Sequence, residues 1–173
     1  MSISKSPTRV ALLGAGSFTF GPAIIWQLLV EERFSNLDLR LIDLNAPLIE
    51  RLQAIAKRIS EEQDLKTEIS CHTEWSSGLN EADYVICAID PGMMARYEAF
   101  QNIASKHYQR HIHTEFGGLN GLANSYAQIH MIREVTAAMQ QACPGAILLD
   151  SANPLARVCQ AADREGVATV GFC

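Results

Sequence analysis

The chain has 173 residues, a length that fits one domain with a core of its own. With 48% hydrophobic and 19% charged residues, the composition is that of an ordinary globular protein and excludes a disordered chain. The formal net charge is -5 and the lysines and arginines form no basic run, so neither nucleic acid nor an anionic membrane is expected as a partner.

The sequence shows no sign of a membrane or secretory segment. No apolar run approaches the ~20 residues that a membrane helix needs, and residues 1–9 lack the hydrophobic stretch of a secretory signal. The 5 cysteines are widely spaced and form no CxxC pair, which is typical of buried thiols in a reducing compartment. We therefore expect a cytoplasmic protein.

Strand and helix patterns alternate through the first half of the chain. Residues 9–13 form a short, apolar, β-rich run, and from residue 20 to about 32 apolar residues recur at helical spacing. Residues 38–43 alternate and end on an acid, which predicts a second strand. A second helix follows, with Pro47 near its start, and residues 67–71 form a weaker third strand.

The second half continues this alternation. Residues 83–89 are apolar on both faces, as in a central parallel strand, and an irregular stretch is expected from residue 90 to about 120. A helix is predicted from residue 122 to about 142, a fifth strand over 146–150 and a sixth over 167–172. Between these strands Asn153 is predicted to cap, and Pro154 to open, a helix that ends near Gly166. The pattern predicts an α/β fold with a doubly wound parallel sheet of the Rossmann type.

The chain ends one residue after the sixth predicted strand. Such an ending would leave a sheet edge uncovered and a ligand crevice half built. We therefore expect residues 1–173 to be the amino-terminal domain of a longer enzyme. The apolar surface exposed at such a boundary favours a homo-oligomer.

A glycine-rich turn joins the first strand to the first helix. In the sequence GAGSFT of residues 14–19, Gly14 permits the tight turn and Gly16 lets the backbone approach a pyrophosphate. Thr19 replaces the third glycine of G-x-G-x-x-G, but Asp43 ends the second strand at the usual interval, where a carboxylate accepts ribose hydroxyls and repels a 2′-phosphate. The alternative is that the glycines only form a turn and Asp43 only caps the next helix. The pattern favours NAD over NADP, and the candidate cofactor-binding residues are Gly14, Gly16, Ser17, Phe18 and Asp43.

Candidate substrate residues follow the later strands at their carboxyl ends, where open α/β sheets bind ligands. Arg96 follows the fourth strand, and its guanidinium suits a carboxylate or phosphate unless it is a solvated loop charge. Asn153 follows the fifth strand and either binds a substrate hydroxyl or caps its helix, which the spacing favours. Cys173 follows the sixth strand, where its thiolate suits a divalent metal, and a structural role is the alternative.

Two other groups lie in the predicted irregular stretch. The glycine-rich sequence FGGLNG of residues 116–121 either wraps a phosphate or a sugar or is a flexible loop. His107, His111 and His113 are spaced poorly for a single metal site, so solvent exposure is expected for them.

Taken together, these motifs resemble glycoside hydrolase family 4, the NAD- and metal-dependent glycosidases. The matching pieces span the chain in order: the turn at Gly14, Asp43 in LIDLN, Arg96 after DYVICAIDPG, GGLNG before a helix, Asn153 before a proline, and VGFC ending at Cys173. The resemblance implies that the chain corresponds to that family's amino-terminal domain, with a metal- and substrate-binding domain expected after residue 173.

The resemblance also implies a glycosidase chemistry outside the usual carboxylate pair. NAD takes hydride from C3 of the sugar, a base removes the acidified C2 proton, and the glycosidic bond breaks by elimination before water adds and the hydride returns. A divalent metal, commonly manganese, polarises the C2 and C3 oxygens. Carried over by motif, Cys173 is a metal ligand, Asn153 contacts the sugar and Arg96 lies beside it. The base is expected beyond residue 173, so residues 1–173 alone are expected to be inactive.

The chain departs from the family pattern in two places. Ala127 stands where the family usually has an arginine, and FGGLNG stands in place of the more usual TGPGG. The related lactate and malate dehydrogenases are an alternative, since they share an arginine loop similar to PGMMAR and an Asn-Pro, although they need no cysteine after the sixth strand. A catalytically silent NAD-binding protein is the third hypothesis, which Ala127 favours.

Overall fold

The structure is a computed structural model that describes residues 6–90, 92–108 and 116–172. The strands in these residues are β1 (Thr8–Leu13), β2 (Leu37–Ile42), β3 (Thr67–His72), β4 (Tyr84–Cys87), β5 (Ile147–Asp150) and β6 (Thr169–Gly171). They form one parallel sheet in the order β3-β2-β1-β4-β5-β6. The order runs outward in both directions from β1 and β4, which confirms the predicted doubly wound sheet and opens a crevice at the carboxyl ends of these two strands.

Helices connect the strands. They are α1 (Phe20–Trp26), followed directly by a π-helical segment (Gln27–Glu31), then α2 (Ala46–Glu62), α3 (Trp75–Leu79), α4 (Met93–Tyr108), α5 (Gly118–Ala142) and α6 (Leu155–Arg164). Among the described residues, none of these helices is both long and apolar enough to cross a membrane.

Buried apolar side chains cover both faces of the sheet. Along β1, Ala11 and Leu13 belong to one cluster and Val10 and Leu12 to the other, as the alternation of side chains in a strand requires. The first cluster includes residues of α5 and α6, and the second includes residues of α1 and α2. Because helices cover both faces of the sheet, a ligand is expected to bind at the carboxyl ends of the strands.

The stretch predicted to be irregular is largely helical. The prediction is wrong for α4 because its apolar residues form no buried stripe: Met94 and Ile103 are exposed, whereas Ala104 is buried. The glycine-rich sequence FGGLNG is likewise not a loop along its whole length, because α5 begins at Gly118 within it.

Two shorter elements also differ from the sequence-based expectations. The sequence does not predict α3, whose five residues WSSGL are too few for an apolar repeat. The sixth strand is restricted to Thr169–Gly171, within the predicted range 167–172. The helix after β5 begins at Leu155, and Pro154 rather than Asn153 occupies its N-cap position.

Candidate functional site

The turn between β1 and α1 lies at the point where the strand order reverses. Gly14 has a φ of 77°, in the left-handed region that favours glycine. Its N–H donates to the carbonyl oxygen of Ile42 at 2.9 Å, which anchors the turn to the end of β2. A Cβ at position 14 would lie 2.7 Å from the carbonyl oxygen of Ala88, so the backbone there passes too close to the chain after β4 for a larger residue.

Asp43 closes the same turn from the side of β2. The N–H of Gly16 donates to Oδ2 of Asp43 at 3.0 Å, and the N–H of Asn45 donates to Oδ1 at 2.9 Å. The N-cap of α2 is Asn45, whose side chain accepts from the N–H of Leu48 at 3.3 Å. Asp43 is therefore not the cap of α2, and its half-buried carboxylate stands beside the glycine turn.

Ser17 and Phe18 complete the turn in different ways. The N–H of Ser17 donates to the carbonyl oxygen of Gly14 at 2.9 Å, and its Oγ accepts from the N–H of Phe20 at 3.2 Å. The side chain of Phe18 is 97% exposed, so it contributes nothing to the core and is free for contact with a ligand.

Gly21 is a functional position that the motif G-x-G-x-x-G does not indicate. A Cβ at this position would overlap the carbonyl oxygen of Ala15, and the N–H of Gly21 donates to the carbonyl oxygen of Ser17 at 3.0 Å. Close packing of the first helix against the turn is the role of the third glycine of the motif. Gly21 takes this role in place of Thr19, so the nearby glycine in TFGP was the signal available in the sequence.

These residues fit a dinucleotide. The turn at Gly14 and Gly16 leads into the amino end of α1, and the amino end of a helix favours a pyrophosphate. A carboxylate fixed by two backbone N–H groups keeps acceptor capacity for the hydroxyls of a ribose, since each carboxylate oxygen has two lone-pair sites. The fit is to a nucleotide without a 2′-phosphate, which the negative charge of Asp43 would repel.

Arg96 lies in the first turns of α4 and contacts the end of β4. Its Nη2 donates to Oδ1 of Asp90 in an ion pair, and the Nε2 of Gln128 in α5 donates to the same oxygen at 2.7 Å. The Nε and Nη1 atoms of Arg96 are buried and have no hydrogen-bond partner among the described residues. The alternative of a solvated loop charge is excluded, because the Arg96 side chain is 19% exposed and lies in a helix.

A groove of about 580 Å³ runs between α4 and α5 beside Arg96. Arg96 is the only charged residue among those lining it in the described part of the chain. The other lining residues are apolar or aromatic: Ala95, Ala99, Phe100, Ala123, Tyr126 and Ala127. Ala127, where the family pattern suggests an arginine, is thus part of an apolar wall.

The turn after β5 lies next to the end of β4. The Oγ of Ser151 donates to the carbonyl oxygen of Cys87 at 3.0 Å, and the Asn153–Pro154 peptide bond is cis. The prediction that Asn153 caps α6 is wrong, because Pro154 takes the N-cap position in an extended conformation and no side chain caps the helix. A contact between Asn153 and a sugar stays a prediction.

Asp150 is a completely buried carboxyl group beneath this turn. Its Oδ1 accepts from the N–H of Ala152 at 3.3 Å, and the Sγ of Cys159 donates to Oδ2 at 3.9 Å. Burial raises the pKa of Asp150 to about 6, and the bonds from Ala152, Cys87 and Cys159 oppose that rise. Burial, together with the charge of Asp150, raises the pKa of the Cys87 thiol to about 12. Burial and the charge of Asp150 also raise the pKa of the Cys159 thiol, and a raised pKa makes a thiol a poorer nucleophile.

The predicted metal ligand lies in a part of the chain that the structure does not describe. Cys173 lies outside the described residues, as do His111 and His113. Within the residues that the structure describes, no group of three or more His, Cys, Asp or Glu side chains is arranged to hold a metal ion. His107, at the end of α4, is exposed, as expected.

Comparison with known proteins identifies the family. The model of the family 4 glycosyl hydrolases matches residues 9–173, and the chain belongs to that family. An α-glucosidase of Erwinia rhapontici is 27% identical over 169 residues, which are 96% of this chain and 37% of that protein.

Solved structures agree with this assignment in their fold. A 6-phospho-α-glucosidase from gut microorganisms, in complex with NAD and Mn²⁺, has a TM-score of 0.78 at 24% identity, covering 97% of this chain and 39% of that one. A 6-phospho-β-glucosidase from Thermotoga maritima, with manganese, NAD⁺ and glucose-6-phosphate, has a TM-score of 0.80 at 19% identity, covering 96% and 40%. The chain spans well under half the length of these relatives.

Proposed function

We propose that the full-length protein is a glycosidase that cleaves O-glycosidic bonds with the help of NAD and a divalent metal, Mn²⁺. Membership of family 4 supports the glycosidase activity. The observation that carries the choice of cofactor is the hydrogen bond between Gly16 and Asp43, which sets a carboxylate beside a glycine turn. Two structural neighbours that are complexes with NAD and manganese support the same pair of cofactors.

In this proposal the residues of the turn bind the nucleotide. The turn at Gly14 and Gly16 lies beside the pyrophosphate, and Ser17 and Phe18 border it at the start of α1. Asp43 accepts hydrogen bonds from the ribose hydroxyls and disfavours NADP through charge repulsion.

The substrate lies at the carboxyl ends of β4, β5 and β6. Arg96 lies beside the sugar, and Asn153 contacts one of its hydroxyl groups. Cys173 is one ligand of the metal, and the other ligands and the base are expected after residue 173. When bound, NAD supplies hydride exchange at C3 and the metal acts as a Lewis acid toward the C2 and C3 oxygens. The cytoplasmic location and a homo-oligomeric state stay predictions.

The proposal is tested by hydrolysis of aryl glycosides by the full-length protein, with α and β, phosphorylated, plain and uronic sugars. Aryl release that needs both NAD and Mn²⁺, without net formation of NADH, is the expected result. NADH formed from a 2-hydroxy acid without metal would instead assign a dehydrogenase, and NAD binding without turnover in either assay would assign a catalytically silent protein. Residues 1–173 alone are expected to release no aryl product. Measurable turnover by them would contradict the expectation that the catalytic base lies after residue 173.

A further inference from the structure

The face of the sheet that α1 and α2 cover continues across β5 and β6. Side chains of residues paired in register on parallel strands lie on the same face. Tyr84 in β4 pairs with Val10 in β1 and with Ile147 in β5. Leu149, two residues further along β5, pairs with Val170 in β6. Val10 belongs to the cluster that includes residues of α1 and α2, and Leu149 packs against the same cluster. All of these side chains therefore share one face.

Gly171 shows independently which way the side chains at the end of β6 point. A Cβ at position 171 would lie 2.6 Å from the Sγ of Cys159 in α6, so this position faces α6. Because side chains alternate along a strand, Val170 faces the other side of the sheet. The N–H of Phe172 still donates to the carbonyl oxygen of Asp150 at 3.0 Å, so the strand pairing and its alternation continue to Phe172. Val170 and Phe172 therefore lie on the face away from α6.

Burial on this face decreases from the middle of the sheet to its edge. Leu12 in β1 is completely buried and Ile86 in β4 is 6% exposed, whereas Val170 in β6 is 54% exposed. On the opposite face Leu148 in β5 is completely buried, in the cluster that includes residues of α5 and α6. Among the described helices, α1 and α2 thus cover their face only as far as β4.

The uncovered part of this face, called the open face below, is apolar throughout. Its side chains are all half-buried or exposed, and they come from β4, β5 and β6 with their flanking residues: Tyr84, Ile147, Leu149, Ala168, Val170 and Phe172. None of them is charged. Parallel sheets occur almost only with both faces covered, and a contiguous apolar surface is typical of an interaction site. The open face is therefore a surface that another part of the protein is expected to cover.

The length of the relatives indicates which part this is. The chain spans well under half of each relative, so a larger segment accompanies this domain in those proteins. Phe172 lies on the open face itself, so residues that follow 173 in the full-length protein start beside the surface to be covered. We propose that a second domain, formed by the residues after 173, docks on the open face through an apolar surface of its own.

Alkylation of cysteines introduced into the full-length protein tests this docking surface. Val170→Cys probes the open face, and Ile55→Cys on α2 is the matched control, because the two side chains are 54% and 55% exposed in this domain. In the native protein we expect Val170→Cys to react with N-ethylmaleimide at least about tenfold more slowly than Ile55→Cys, since a covered thiol is inaccessible to the reagent. Both sites should react equally fast in urea. Tandem mass spectrometry distinguishes them from the native cysteines.

The dependence on protein concentration identifies what covers the open face. Protection of Val170→Cys that persists when the protein is diluted to its monomer supports cover by the same chain. Protection that is lost on dilution would assign the open face to a second copy and overturn the proposal. Equal alkylation of both variants in the native protein, with an unchanged Kd for NAD as proof of the fold, would overturn it as well.

Val170→Thr gives a second reading that needs no introduced thiol. Threonine has nearly the shape of valine, but its hydroxyl is costly when it is buried against an apolar surface. We expect the Tm of the full-length protein to fall by about 2 °C or more, and Ile55→Thr to change it by less than about 1 °C. An equal change of Tm in both variants would contradict cover of the open face. These measurements do not depend on glycosidase activity, so their failure would leave the proposed function in place.

Discussion

Gly16 and Asp43 are in direct contact at the reversal point of the sheet. The N–H of Gly16 donates to Oδ2 of Asp43 at 3.0 Å, and a Cβ at position 16 would lie 2.8 Å from that same oxygen. The two residues are therefore matched: the glycine leaves room for the carboxylate, and the carboxylate holds the glycine turn against β2.

Gly16→Ala is expected to weaken NAD binding without unfolding the protein. The added methyl group meets the end of the Asp43 side chain, which can rotate away, rather than a backbone atom. Rotation removes the carboxylate from the ribose, and we expect the Kd for NAD to rise roughly tenfold, or about 1.4 kcal/mol. Calorimetry on the full-length protein measures this. Gly145→Ala is the matched control, because a Cβ there would contact nothing within 4 Å. Equal NAD affinity in both variants would contradict the role of the turn.

Asp43→Asn is expected to reduce the discrimination between NAD and NADP. The substitution removes the charge that repels a 2′-phosphate, and it leaves one acceptor where Gly16 and Asn45 need two. We expect the ratio of the Kd for NADP to the Kd for NAD to fall by about tenfold or more. Glu61→Gln, an exposed position on α2, serves as the charge control. A ratio that does not change would show that Asp43 does not face the ribose.

Gly21→Ala is expected to destabilise the fold. Alanine favours a helix by about 1 kcal/mol over glycine, but the new Cβ overlaps the backbone oxygen of Ala15, which cannot move without moving the turn. Overpacking of this kind costs roughly 1–3 kcal/mol, so the clash outweighs the helix propensity. Urea unfolding monitored by circular dichroism measures the difference, again with Gly145→Ala beside it. If the variant were as stable as the unsubstituted protein, Gly21 would not be needed for close packing of α1 against the turn.

Asp150→Asn is expected to stabilise the protein at neutral pH but not in acid. Because the pKa of Asp150 is raised in the folded state to about 6 from 3.8, the folded protein binds the proton more tightly than the unfolded chain. Its contribution to stability is therefore complete below about pH 4 and is lost as the pH rises through about 6. The rise in pKa corresponds to a loss of at most about 3 kcal/mol in the free energy of unfolding between acid and neutral pH. Asparagine stays neutral and retains an oxygen to accept from Ala152.

Unfolding free energies of both proteins at pH 4.5 and pH 7.5 test this prediction. The advantage of Asp150→Asn should appear at the higher pH and shrink at the lower one. An advantage of the same size at both values would mean that ionisation of Asp150 is not its cause.

Much of the sheet was predictable because parallel strands carry a local signal. The run over residues 83–89 is apolar on both faces, and β4 lies in the middle of the sheet as that pattern requires. Helix α4 was not predictable in the same way, since its exposed Met94 and Ile103 obscure the helical period. The start of α6 depends on the conformation of Pro154, which the favourable capping propensity of Asn153 does not reveal.

The candidate site was predictable only where its residues are close in sequence or follow a known interval. Gly14, Gly16 and Asp43 come together as their spacing indicates. Asp90 and Gln128 were not singled out, because their contact joins residues that are 38 positions apart. The position of Asp90 at the carboxyl end of a strand was the available signal, whereas nothing in the sequence distinguishes Gln128 from a solvent-facing glutamine.

The proposed oxidation and elimination chemistry is tested by hydrolysis of the accepted glycoside by the full-length protein in D₂O, with NAD and Mn²⁺, followed by NMR of the released sugar. Cleavage by elimination removes the C2 proton and later returns one from solvent, so deuterium is expected at C2 of the product. A product with its C2 proton fully retained would contradict the oxidation and elimination chemistry, because direct displacement at C1 leaves that position untouched.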